Sequence, residues 1–334
     1  MKGLLLAFLA VLVLGVGAVL LPRDAGKPQA VPFSEAARSE ALSSTETLLD
    51  SASLLESTDT VTLLTSQARA LLTPSSPSAP NTPSASPSSS AAQDRPTRAG
   101  FVSALSASAS RRLADAANAD GGMARLLAAV GTAQLLESSR LAATWGLPVP
   151  ATPAEASTAP TQPPSCPASP GTATTAPTPG TAPTTADLPA ALAAVVSSEQ
   201  ESIYAYQVAL TRLDAKASAT AATWLARHQQ LLRGAEAQGR LHCIATPARE
   251  AGYRLPATFA AKPGLALGSM ESSSLTAYAD LVALSEGETR QWAIDGLVDA
   301  AKRSQAWGAP VGPFPGLSID NSALPPLPSG TPSP

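Results

Sequence analysis

Between Leu188 and Leu213, apolar side chains recur at Leu188, Leu192, Val195, Ile203, Tyr206, Leu210 and Leu213, a three-four spacing that sets them on one stripe of a single helix. Glu199 falls on the same stripe. A carboxylate in a buried helical seam has to be paired, protonated or bound to a metal, because an unpaired buried charge is strongly destabilising. A helix of this kind cannot stand alone and must find partners for both its apolar face and its one acid.

Three further helical patterns follow it. Ala215 to Gly239 places Ala221, Trp224, His228, Leu231 and Ala235 on one face, so a histidine points inward as Glu199 does. After a connection containing Tyr253 and Phe259, helices are predicted from Leu265 to Ser285 and from Gly287 to Trp307, the last stopped by Gly308 and Pro310. Asp187 is placed to cap the first of the four, with Pro189 tolerated in its opening turn. Short first and third connections around a longer middle one describe a four-helix bundle with one crossover. Aromatics make up only 4% of the chain, so a core of alanine and leucine favours closely packed helices.

The N-terminal half, 34–145, reads as helical pieces over Ser34–Glu56, Asp59–Leu72, Phe101–Ala117 and Met123–Trp145. No repeat of the C-terminal half is visible in it, and no catalytic motif. Many of the 32 prolines fall in Ser/Thr/Ala-rich tracts, chiefly the insert 73–98 and the linker 146–187, compositions that predict disordered or extended spacers, the linker with or without O-glycosylation. Residues 187–317 are expected to form the bundle and 318–334 a disordered, polar, Pro-rich tail.

An unbroken apolar run from Gly3 to Leu21 opens the chain. Residues 1–26 are thus a signal peptide or an N-terminal membrane anchor. Val16 and Ala18 offer a cleavage site, while the apolar residues after Ala18 tilt the reading toward a retained anchor. The expected location is the outer side of the cell membrane, or the exterior if the segment is removed. The net charge of −3 and the lack of basic runs exclude nucleic acid as a partner class.

Glu199, Tyr204 and Tyr206 in EQESIYAY, His228 in ARHQQLL, the final helix ending in AWG, and the PFPGL that follows resemble an uncharacterised ferritin-like family, domain of unknown function number 4439. The resemblance covers Asp187 to Leu317. It implies a ferritin-like bundle in an exported protein of a high-GC Gram-positive bacterium, and no activity. Ferritin-like di-metal sites use a Glu from each of two helices and a Glu-x-x-His pair from each of the other two. Here the residue three before His228 is Leu225, and the fourth helix has no histidine. No metal or cofactor is therefore expected. Glu271, Glu286 and Glu288 could supply oxygens, but acids near helix starts serve more often as caps or dipole partners.

The preferred reading of Glu199 and His228 is a buried polar pair joined by a hydroxyl from Tyr204 or Tyr206. The alternative has His228 on a backbone carbonyl and Glu199 reaching solvent. Cys166 and Cys243 are the only cysteines, and outside the membrane a disulfide between them is expected. Phosphate-binding glycine loops and nucleophile elbows are missing. The expected function is a non-enzymatic envelope scaffold or binding protein for an unknown envelope protein or small ligand, held to the membrane through residues 3–21. A divergent metal-dependent or oxidative enzyme, or a haem binder using His228, are the alternatives.

Overall fold

The computed structural model describes residues 30–72, 95–150, 166 and 186–328, and is all-α, with no strand among them. Eight helices are present in that span: α1 Phe33–Leu54, α2 Thr58–Leu71, α3 Arg98–Asn118, α4 Gly121–Trp145, α5 Leu188–Ala209, α6 Ala215–Leu241, α7 Pro263–Leu284 and α8 Gly287–Ala306. Their starts are written in the sequence. The carboxylates of Asp120, Asp187 and Asp214 and the hydroxyl of Thr97 each accept a backbone N–H from the first turn of the helix they cap. The apolar run Gly3–Leu21, the centre of the insert (73–94) and most of the linker lie outside the described residues. Among the described residues no helix is long and apolar enough to cross a membrane.

In the C-terminal half α5 packs on α6 and α7, α7 packs on α8, and α8 returns to α6. The two short connections join neighbours, and the long one, from the end of α6 to Pro263, joins helices that are not paired. In the N-terminal half α1 packs on α2 and α3, and α3 packs on α4. The fourth side is closed by side chains, Gln134 Nε2 donating to Gln67 Oε1 at 3.0 Å and Thr60 donating to Glu137. The halves meet where α4 lies against α7 and α8, and α3 against α8. One apolar cluster runs through that junction, from Ala37 and Leu127 to Leu281 and Ile294. A second, built of Leu48, Leu64, Phe101 and Leu105 with their neighbours, fills the N-terminal half.

The stretch after α8, read from sequence as PFPGL and a disordered tail, docks on the N-terminal half as far as Pro325. Phe314 is buried against Ala129 and Val130 of α4. Gln67 donates to the Pro313 carbonyl at 3.1 Å, Arg125 to the Gly316 carbonyl at 2.9 Å, and Arg69 to the Pro325 carbonyl at 2.9 Å. Gly316, at φ 78°, passes so close to α7 that a Cβ would stand 2.5 Å from the Leu275 carbonyl oxygen, which leaves room for glycine alone.

Candidate functional site

Each helix of the C-terminal bundle sends one charged side chain to a common point: Glu199 from α5, His228 from α6, Glu271 from α7 and Arg303 from α8, all four at 0% exposure. His228 is the hub. Its Nδ1 lies 2.8 Å from Glu199 Oε2 and its Nε2 lies 2.8 Å from Glu271 Oε1. Arg303 Nε donates to Glu271 Oε2 at 2.8 Å. Two tyrosines complete the acceptors' coordination, Tyr206 donating to Glu271 Oε1 at 2.6 Å and Tyr278 to Glu199 Oε1 at 2.8 Å. Trp307, just past α8, donates its indole N–H to the Tyr206 oxygen at 2.6 Å.

The geometry dictates a protonation state. Both ring nitrogens of His228 face carboxylate oxygens, so with both acids ionised each nitrogen must carry a proton to donate. Two carboxylates then balance one imidazolium and one guanidinium. Burial opposes the charged imidazole, but Glu271 and Glu199 outweigh it and hold the His228 pKa above its ordinary value. Burial likewise opposes ionisation of Glu271, yet Arg303 and His228 draw its pKa down to about 2. Tyr206 and Tyr278 are pushed upward by burial and by the neighbouring carboxylates Glu271 and Glu199, so both hydroxyls stay protonated. Burial works against the charge on Arg303, and Glu271 and Glu199 overcome it to keep the group protonated. Its Nη1 and Nη2 have no hydrogen-bond partner among the described residues.

Close approach of the helices makes this convergence feasible. Gly296 of α8 lies under the Tyr278 ring, where an added Cβ would fall 2.2 Å from a ring carbon. A side chain there would push α8 away from α7 and carry Arg303 off Glu271.

The donor set does not fit a di-metal centre. Both imidazole nitrogens that could bind a metal face carboxylates, and the fourth helix contributes a cation, Arg303, where ferritin-like sites need a carboxylate or histidine. Among the described residues no group of three or more His, Cys, Asp or Glu is arranged to hold a metal ion.

The structure brings Glu199, His228 and Tyr206 together and leaves Tyr204 out. Tyr204 faces the α6–α7 connection, its ring 5.8 Å from that of Tyr253. Two residues apart on one helix, Tyr204 and Tyr206 point about 200° apart, so only one can reach the seam. The reading of Glu271 as a cap also needs correction, since it sits two turns into α7 and is fully buried. It shares a stripe with Leu267, Leu275, Tyr278 and Val282, and interrupts it as Glu199 interrupts the stripe of α5. Arg303 lies off the stripe of Ile294, Leu297 and Ala301; the signal for it was the demand of two buried acids for a second cation.

Cys166 and Cys243 are joined, with sulfurs 1.97 Å apart and Cα atoms 5.6 Å apart, which pins a linker residue to the end of α6. No curated protein and no solved structure matches the chain. Residues 191–319, which hold all four charged side chains and reach past the Phe314 anchor, match the family model described as a domain of unknown function (DUF4439).

Proposed function

We propose that this is an exported protein of the cell envelope, anchored or released through residues 3–21, whose helical body is a non-enzymatic scaffold or binding module. The observation that carries the reading is the closure of the ionic cluster. Its four charged groups pair with one another at 0% exposure, leaving no nucleophile, base or metal-ligating nitrogen presented to a substrate. The Cys166–Cys243 bridge supports an oxidising compartment, where such bonds persist. The crossover between α6 and α7 supports a ferritin-like bundle.

The competing reading is a divergent metal-dependent or oxidative enzyme, favoured by the meeting of two carboxylates and an imidazole from three helices. Elemental analysis and an absorption spectrum of the exported chain separate the readings. The scaffold reading expects neither stoichiometric iron or manganese nor a Soret band, and a chelator that leaves the melting temperature unchanged. Stoichiometric metal, with a chelator-induced fall in melting temperature, supports the enzyme. A Soret band supports a haem binder.

A further inference from the structure

The two halves share their helix order, their main pairings and, in the first and third helices, the register of burial. The first and second helices of each half pack together, as do the third and fourth, and the first packs on the third. The second and fourth are bridged by side chains in both halves, Gln67 to Gln134 in one and Arg227 to Asp299 in the other. The third-to-fourth hairpins agree residue by residue. Asn118 and Leu284 end their helices, Asp120 and Glu286 are the N-cap residues, and Gly121 and Gly287 begin the next helices, each pair 166 residues apart. At that same spacing every buried position of α3, from Phe101 to Ala116, falls on a buried position of α7, from Leu267 to Val282.

The first helices agree as closely. All five buried positions of α1, from Ala37 to Ala52, lie 154 residues before buried positions of α5, from Ala191 to Tyr206. Even the exits correspond: Trp145-Gly146-Leu147-Pro148-Val149 and Trp307-Gly308-Ala309-Pro310-Val311. Gly146 and Gly308 both turn with positive φ, at 65° and 78°, and Leu147 and Ala309 each donate a backbone N–H back into the preceding helix.

The junction has the symmetry such a repeat would give. Exchanging the halves turns the α4–α7 contact into the α8–α3 contact, which is present, and returns the α4–α8 contact to itself. A surface that pairs with its own equivalent in this way is isologous, the pattern of a twofold dimer. The junction is also apolar and continuous with both cores.

We infer that the chain is a fused pair of one four-helix module. The α7–α8 face is a self-pairing surface whose partner is a second copy of the module, supplied here in cis by α3–α4. The N-terminal copy has diverged, which accounts for the family model stopping at residues 191–319.

Two measurements on the full-length protein test this. In its crystal structure, α1–α4 should superpose on α5–α8 helix for helix in the register given above, by a rotation close to a half turn. A different helix order or a rotation far from a half turn overturns the proposal. In a full-length chimera whose residues 30–150 are replaced by a second copy of 186–328, the two identical copies should pack into a compact monomer that melts in one transition. A folded chimera whose copies stay apart in small-angle scattering overturns the self-pairing face; if the chimera does not fold, the superposition decides.

Discussion

The two bundles solve the same packing problem with different chemistry at matching positions. Where the C-terminal half has Glu199 and Glu271, the N-terminal half has Thr45 and Leu105 in the register given above, and at a spacing of 164 residues the buried Leu64, Gln67, Ala68 and Leu71 of α2 fall on the buried His228, Leu231, Leu232 and Ala235 of α6. Thr45 turns back to donate to the Ala41 carbonyl of its own helix at 2.7 Å, and Leu64 and Leu105 join one apolar cluster. The position of Arg303 is taken by Glu137, itself buried, which accepts from Thr60 and from Arg140, the latter at 2.7 Å. The backbone arrangement therefore does not require the ionic cluster. The N-terminal copy holds without it, on an apolar cluster together with the buried Gln67–Gln134 and Thr60–Glu137 pairs and the buried Arg112, so the cluster in the other copy is a specification of register or of function.

Breaking the cluster at its cation should have the largest effect. Arg303→Leu leaves two buried acids with one imidazolium, and should cost ~3–5 kcal/mol in denaturant unfolding. Replacing Glu271 by Leu as well should recover much of that loss, since exchanging both partners for apolar groups is often near neutral. At the matching site of the other bundle, Leu105→Ala should cost roughly 2–5 kcal/mol through the cavity it leaves, with no dependence on pH.

The pH profile sharpens the contrast. His228 has a pKa raised above 6.5 in the folded chain, so its contribution is fully present below that value and is lost as pH rises through the folded pKa. Glu271 is lowered from 4.5 to about 2, so its contribution is present above 4.5 and is lost as pH falls through about 2. Urea midpoints across acid and alkaline pH should show both limbs in the parent. Both limbs should vanish in a variant with Leu at residues 199, 228, 271 and 303, and both should persist in Leu105→Ala. An unchanged profile in the first variant would mean that the cluster does not set the pH dependence.

Smaller effects map the cluster's interior. Glu199→Leu, which strands His228 and Tyr278, should cost about 2–3 kcal/mol, and adding His228→Leu should return part of it. Glu199→Gln, whose amide oxygen still accepts from the imidazole, should cost about 1 kcal/mol. Additive losses in the Glu199→Leu, His228→Leu double variant would show that the two residues do not interact.

Helix-level organisation was legible because its determinants are local: the cap at Asp187, the stop at Gly308 and Pro310, and three-four apolar spacing. Glu199 and His228 stood out because each interrupts an apolar stripe. Glu271 interrupts one too, but its nearness to a helix start invited the capping explanation, and burial is a tertiary property. Arg303 was hidden because long cationic side chains on a helix flank are ordinary surface residues until a neighbouring helix encloses them. The duplication was hidden for a related reason. A buried position constrains size and polarity far more loosely than identity, so Leu64 can replace His228 and Arg112 can replace Tyr278 while the fold is kept. Only the register of burial and the echo of WGLPV in WGAPV preserve the relation.

The central claim is that the C-terminal core is locked by a buried, charge-balanced cluster with an imidazolium at its hub. Nitrogen-15 NMR of the His228 ring in the full-length protein at neutral pH tests it most directly. The account predicts that both Nδ1 and Nε2 are protonated, with ring protons that exchange slowly and show hydrogen-bond couplings to Glu199 and Glu271. A neutral ring with one bare nitrogen, or a nitrogen shifted by a bound metal, would contradict it.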